Sequence, residues 1–210
     1  YTSQYTLSLH DALPISFTGL LVWDQPVLGV LAVFSVLPAL ALAGYFWLGD
    51  PTMREPGSTL ALTFVLGVVL ASIAAVVNTV LFSAVAEVAP LALAGTIVPV
   101  VLFFLVVGPV EETVKWLAVR LHAYRTDEFD AVVDGVVYGA VAGLGFATIE
   151  NVLYITQGFL LPPTADLPGG IAGAVEIATS RAFVGPGHVI YSAWAGYYLG
   201  LAKFNPGQRG

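Results

Sequence analysis

The sequence predicts an all-α, polytopic membrane protein, a bundle of about five to seven transmembrane helices around one core. Composition is the first observation behind that reading. Of the 210 residues, 58% are hydrophobic and 10% charged, whereas soluble domains carry roughly 45–50% apolar and about 25% charged residues. The second is a mean hydropathy of +0.87. The third is pattern: apolar runs near the roughly 20 residues needed to cross a bilayer alternate with short loops marked by Pro, Gly and charge. The net charge of −7 argues against a nucleic-acid partner. The absence of cysteine excludes disulfides, thiolate metal sites and cysteine nucleophiles.

Residues 1–16 are polar and lack the basic start and apolar middle of a signal peptide. They are set aside as a non-native or disordered tail, and residues 17–210 are expected to form a single membrane-embedded domain. The first span is residues 27–48, with Pro38 inside it and Trp23, Tyr45 and Trp47 at its ends, where aromatic belts form. A short Pro/Gly loop leads to a second span, residues 60–84, whose strongly polar side chain is Asn78. Residues 91–107 form the third, bent by Gly95, Pro99 and Gly108-Pro109. A helix carrying Glu111, Glu112 and Lys115 follows to about His122. After a polar acidic loop, residues 131–157 form a fourth long element. Its Gly135, Gly139 and Gly143, four residues apart, make one small face for close helix packing. A shorter helix over 170–184 is expected to break at Gly185-Pro186-Gly187, and residues 188–203 form the last helix. Residues 205–210 read as a polar stop, and the chain is expected to be truncated there.

Basic residues orient the bundle. Arg54, Arg120, Arg125, Lys203 and Arg209 fall in alternate loops, and the loops around Glu87 and over 159–170 hold no Lys or Arg. The expected topology puts the N-terminus outside and Arg54, Arg125 and Arg209 in the cytoplasm. Arg181 is the exception.

Charge at membrane depth costs roughly 2.5–3.5 kcal/mol per residue on insertion scales, so intramembrane charge points to function. Three apolar segments carry it. Glu111-Glu112-x-x-Lys115 follows a charge-free run, and its lysine can reach either carboxylate at i,i+4 or i,i+3. Phe146 and Glu150 share a helix face, with Asn151 next to Glu150. His188 and Ser192 share another. Bringing these groups together in one cavity would satisfy each. Carboxylates with a histidine suit general-base activation of water, and the same set suits a divalent metal bound through oxygen and imidazole. The sequence has no His-Glu-x-x-His pair, no Gly-x-Ser-x-Gly elbow and no phosphate loop. A serine nucleophile would have to be Ser180 or Ser192.

The order of these motifs resembles the PrsW family of membrane-embedded proteases. The residues are Glu111-Glu112-Thr113-Val114-Lys115, Asp134-Gly135-Val136-Val137-Tyr138-Gly139, Gly145-Phe146-Ala147-Thr148-Ile149-Glu150-Asn151, Arg181 and His188. The likeness covers about residues 109–203. It implies kinship with the CPBP superfamily, which includes type II CAAX prenyl endopeptidases, and with it glutamates and histidine activating water for peptide-bond cleavage. The implied substrates are membrane-anchored proteins of the anti-sigma-factor kind, cut outside the cytoplasm. The family pattern carries a further C-terminal helix with a second histidine, beyond Gly210.

On this reading the chain is a multi-pass endopeptidase of the cell membrane whose partners are a membrane-anchored protein substrate and the lipid bilayer. The expected catalytic residues are Glu111, Glu112, Lys115, Glu150, Asn151 and His188. Glu112 is expected to face inward as the base while Glu111 pairs with Lys115. Lys115 would hold a carboxylate ionised or polarise the scissile carbonyl, and Asn151 would act as an oxyanion or orienting donor. The cofactor is either none or a divalent metal such as zinc, held by Glu112, Glu150 and His188. Two other classes compete. One is a proton- or ion-coupled transporter, in which the same groups form a relay. The other is a non-catalytic membrane scaffold.

Overall fold

Apolar length sets the architecture, and small residues set how closely its parts pack. The computed structural model describes residues 15–88, 97–164 and 168–205. Its helices are α1 (Ile15–Asp24), α2 (Pro26–Leu48), α3 (Gly57–Val88), α4 (Ile97–Leu102), α5 (Gly108–Leu121), α6 (Val132–Leu160) and α7 (Gly170–Phe204). A π-helical turn, Phe103–Val107, joins α4 to α5, and a 3₁₀ turn, Ala123–Arg125, follows α5. Among the described residues there is no strand. The tail expected over 1–16 lies, except for Ile15 and Ser16 at the start of α1, outside the described residues, as do most of the 205–210 stop and the start of the third expected span.

Four segments are long and apolar enough to cross a membrane: Pro26–Leu48, Gly57–Val85, Ile97–Arg125 and Val132–Leu160. Three of them are mostly uncovered, and large side chains such as Phe34, Val65 and Phe104 stand exposed, the surface a bilayer would cover. The fourth differs. Within its most apolar stretch 72% of α6 is buried against 11–28% for the others, so α6 is the central post of the bundle. It packs on α7, α3, α2 and α5.

Glycine explains that position. A Cβ on Gly135 would overlap the carbonyl of Gly196, one on Gly139 that of Ser192, and one on Gly143 that of His188. The partners step back by four as the glycines step forward by four, so α7 runs antiparallel to α6 at backbone contact distance. On another face, Gly145 meets the carbonyl of Phe64, and Gly67 of α3 meets that of Ala142. The expected small face is therefore a seam, with a second glycine contact beside it.

The expected break at Gly185-Pro186-Gly187 does not occur: α7 is one 35-residue helix with Pro186 inside it. Proline removes one hydrogen bond from a helix interior, and neighbouring helices in a membrane bundle can offset that loss. Here Gly185 packs against Ala39 of α2 and Ala147 of α6, so tertiary packing carries the helix through. The bend expected at Gly108-Pro109 takes another form. Pro109 has no N–H for the carbonyl four residues back, and the turn widens so that the Gly108 N–H bonds to the Phe103 carbonyl. Such single π turns are frequent at functional sites, and this one ends just before Glu111.

The loops with Arg54 and Arg125 and the end of α7 gather at one end of the bundle. Tyr138 there donates to Glu55, and Lys203 donates to the carbonyls of Tyr124 and Phe129 at 2.9 and 2.7 Å.

Candidate active site

A cavity of about 510 Å³ opens between α3, the π turn, α5, α6 and α7. Its polar lining includes Glu111, Glu150, Arg181, His188 and Asn78. Phe103 and Val107 from the π turn form part of its apolar wall, so the widened turn that proline imposes helps shape the space.

Glu150 lies in the second half of α6, about 15 Å from its end at Leu160 at roughly 1.5 Å per residue. His188 Nε2 stands 2.8 Å from Glu150 Oε2. The Arg181 guanidinium donates to the same carboxylate and its Nη2 is 3.4 Å from His188 Nε2. The seam brings these groups together. Because Gly143 admits the His188 carbonyl against α6, the imidazole lies two turns along, beside Glu150. Phe146 supports it, with ring centroids 5.0 Å apart.

The structure turns Glu111, not Glu112, toward the cavity, while Lys115 lies within ion-pair distance of both. Lys115 donates to Glu112 Oε1 at 2.7 Å, and its Nζ is 3.6 Å from Glu111 Oε2. The Glu112 side chain is 45% exposed and that of Glu111 only 16%. Glu111 lines the cavity; Glu112 does not. The physical reason is the rotation of about 100° per residue. With α5 set on α3 and α6, only one of two neighbouring positions can face inward. Lys115, itself buried, lies 4.2 Å over the ring of Phe146, which lines the cavity.

Asn151 is wholly buried and is not part of the cavity wall. Its amide donates to the Ser35 hydroxyl at 3.0 Å and its carbonyl accepts from Arg181 Nε at 2.9 Å. Both ends are engaged, so it positions Arg181 against α2 instead of presenting a free donor to the cavity. Ser192 faces Gly143 across the seam, its hydroxyl buried and without a partner.

Arg181 had no assigned role in the sequence reading, yet it is the cation of the cavity, and its charge also lies 4.7 Å over the Tyr154 ring. Its signal was available: an arginine on the expected outer side, against the basic-loop pattern. Asn78 was also missed. It was noted as the polar residue of an apolar span, and its carbonyl oxygen is buried without a partner at the cavity wall.

The expected metal set of Glu112, Glu150 and His188 is not gathered, since Glu112 points away. Replacing it by Glu111 does not restore a coordination shell. Among the described residues, three ligand atoms lying within 4.8 Å of one another occur at Asp50, Glu55 and Asp134 instead. At Glu150 and His188 the guanidinium of Arg181 already stands where a cation would.

Comparison with known proteins gives a consistent result. The model of the PrsW family of intramembrane metalloproteases matches residues 55–210. Protease PrsW of Geobacillus kaustophilus (strain HTA426) is 36% identical over 170 residues, 80% of this chain and 65% of that protein. The Bacillus subtilis (strain 168) Protease PrsW is 33% identical over 171 residues, 81% of this chain and 67% of that protein. A third, from Clostridioides difficile (strain 630), is 30% identical over 182 residues, 83% of this chain and 66% of that protein. The chain thus spans about two thirds of the length of these curated relatives. No solved structure matches.

Proposed function

This chain belongs to the PrsW family of intramembrane metalloproteases, and from that premise we propose that it hydrolyses peptide bonds of membrane-anchored proteins inside its own cavity. One observation carries the reading: Glu111, Glu150, Arg181 and His188, from three helices, line a single cavity in an apolar bundle.

Each group has a task in the proposed chemistry. The Glu111 carboxylate takes a proton from a water in the cavity, and the water oxygen attacks the scissile carbonyl carbon. Negative charge develops on the carbonyl oxygen, and the Arg181 guanidinium supplies a fixed donor for it. Collapse of the tetrahedral species breaks the C–N bond, and the proton on Glu111 passes to the leaving amine. Glu150 binds both His188 and Arg181, so it holds the imidazole and the guanidinium in place. Lys115 fixes Glu112 away from the water.

The family name implies a metal. The residues as arranged do not fit one, because Arg181 occupies the Glu150–His188 position and Glu111 completes no shell with them. The proposed hydrolysis uses the side chains alone. By the basic-loop rule, the Arg54 and Lys203 end would face the cytoplasm of a cell membrane, and the cavity would open toward the outer half.

The test is cleavage of a membrane-anchored reporter peptide in reconstituted vesicles, with and without a zinc chelator. Cleavage that survives chelation and is lost in Glu111→Gln supports the reading. Chelator-sensitive cleavage would replace the water-activation scheme with a metal-bound one. No cleavage, with a proton gradient dissipated instead, would replace the protease with a carrier.

A further inference from the structure

The DG-x-x-YG motif takes no part in the cavity. Asp134 stands about 24 Å from Glu150 along α6, at the end of the bundle that gathers Arg54 and Lys203. It belongs to a second polar centre with Asp50 and Glu55 of the α2–α3 loop, where one ligand oxygen from each residue lies within 4.8 Å of the others. Asp134 is 0% exposed and Glu55 4%.

Each carboxylate is held from one side. Asp134 Oδ2 accepts the backbone N–H groups of Asp130 and Ala131 at 2.7 and 2.6 Å. Asp50 Oδ1 accepts the N–H and hydroxyl of Thr52 at 2.8 and 2.6 Å. Glu55 Oε2 accepts the Tyr138 hydroxyl. The remaining oxygens of two of them, Asp134 Oδ1 and Asp50 Oδ2, are buried without a hydrogen-bond partner. A buried polar atom left unpaired costs about 1–3 kcal/mol, more when it is charged. Among the described residues no lysine, arginine or histidine forms an ion pair with any of the three. The nearby Lys203 gives its hydrogens to two carbonyls instead.

We infer that Asp50, Glu55 and Asp134 form a binding site for a hard divalent cation, Mg²⁺ or Ca²⁺, that fastens the α2–α3 loop to the start of α6. The donors are all oxygen, as such ions require, and Ca²⁺–oxygen distances of about 2.3–2.6 Å let one ion reach oxygens up to roughly 5 Å apart. A shared proton is the competing occupant. Burial, against the hydrogen bond from Tyr138, pushes Glu55 up to about 7, helped by the charges of Asp134 and Asp50 and by a side-chain hydrogen bond with Asp134 that such a proton would make. One proton joins two oxygens, however, and leaves a third group unsatisfied, whereas a cation reaches all three. The inference is independent of the protease reading, because its readout is binding.

The experiment uses the whole chain in detergent after exhaustive chelation. Ca²⁺ and Mg²⁺ are titrated separately while thermal unfolding is followed by tryptophan fluorescence, and Tb³⁺ replaces Ca²⁺ for emission sensitised through Tyr138. The expected result is saturable binding of one ion with a rise in unfolding temperature. Glu55→Gln and Asp134→Asn should each weaken it at least tenfold, and Glu150→Gln should leave it unchanged. If Asp134→Asn does not fold, Asp50→Asn in the half-buried loop takes its place. Absence of a saturable response in the unmodified chain would overturn the inference in favour of the shared proton. So would binding that survives Glu55→Gln combined with Asp50→Asn.

Discussion

Helix α6 carries two polar centres, and they solve the problem of buried charge in opposite ways. At its start, Asp134 meets two more carboxylates, and among the described residues no basic side chain pairs with them. In its second half, Glu150 meets Arg181 and His188, and its charge is balanced on the spot. The first centre is held on one side by backbone, threonine and tyrosine donors, and two of its buried oxygens are left without a partner. The second opens onto a cavity of about 510 Å³ with Glu111 on another wall. A balanced, open centre can take in a reactant and return to its starting state. An unbalanced, buried one is completed by binding something and staying bound.

Substitutions at four places would sharpen or break this contrast. The largest effect is expected at Glu111. Replacement by Gln keeps size but removes the proton acceptor, and cleavage in vesicles should fall by roughly 10²–10⁴-fold. Glu112→Gln should stay within about tenfold of the unmodified chain. Equal losses for the two would mean that the inward and outward assignments do not separate their roles.

Arg181→Met should come next. It strands Glu150 without its cation, and removing one partner of a buried pair costs about 3–5 kcal/mol. Denaturant unfolding in detergent should show that loss, and adding Glu150→Gln to the same chain should restore a large part of it. A strictly additive double variant would mean that the two charges are not coupled.

Gly139→Ala should disturb both centres together, because the new methyl would meet the backbone of Ser192 and force α6 and α7 apart. Overpacking of this kind costs about 1–3 kcal/mol, occasionally more. An unfolding temperature equal to that of the unmodified chain would show that the seam is looser than the glycine contacts require.

The smallest effect belongs to Tyr138→Phe, which removes the donor to Glu55. With Glu55 pushed up to about 7, the bond is close to that of a neutral pair and contributes about 0.5–1.5 kcal/mol, so unfolding should shift modestly while the cleavage rate of the folded protein stays the same. A large loss of cleavage with normal stability would tie the two centres together and end the contrast.

The sequence by itself determined the class, most of the long helices and most of the polar inventory. Apolar length and composition sufficed because a bilayer-spanning backbone must satisfy its own hydrogen bonds, and a helix does so within one segment. Four-residue spacing was enough to mark Gly135, Gly139 and Gly143 as a packing face, since that spacing is local geometry. Tertiary structure decided what local geometry leaves open. Glu111 and Glu112 are equivalent as neighbours in sequence, and only the seating of α5 on α3 and α6 turned one inward and set the other on Lys115. Gly185-Pro186-Gly187 reads as a break, and contacts with Ala39 and Ala147 carried α7 through it. Asn151 is an isolated polar residue in sequence, and Ser35 and Arg181, far away along the chain, fixed its task. Asp50, Glu55 and Asp134 became one centre for the same reason. Each sits at a loop or a helix end, and only the packing of α2, α3 and α6 brings those ends together.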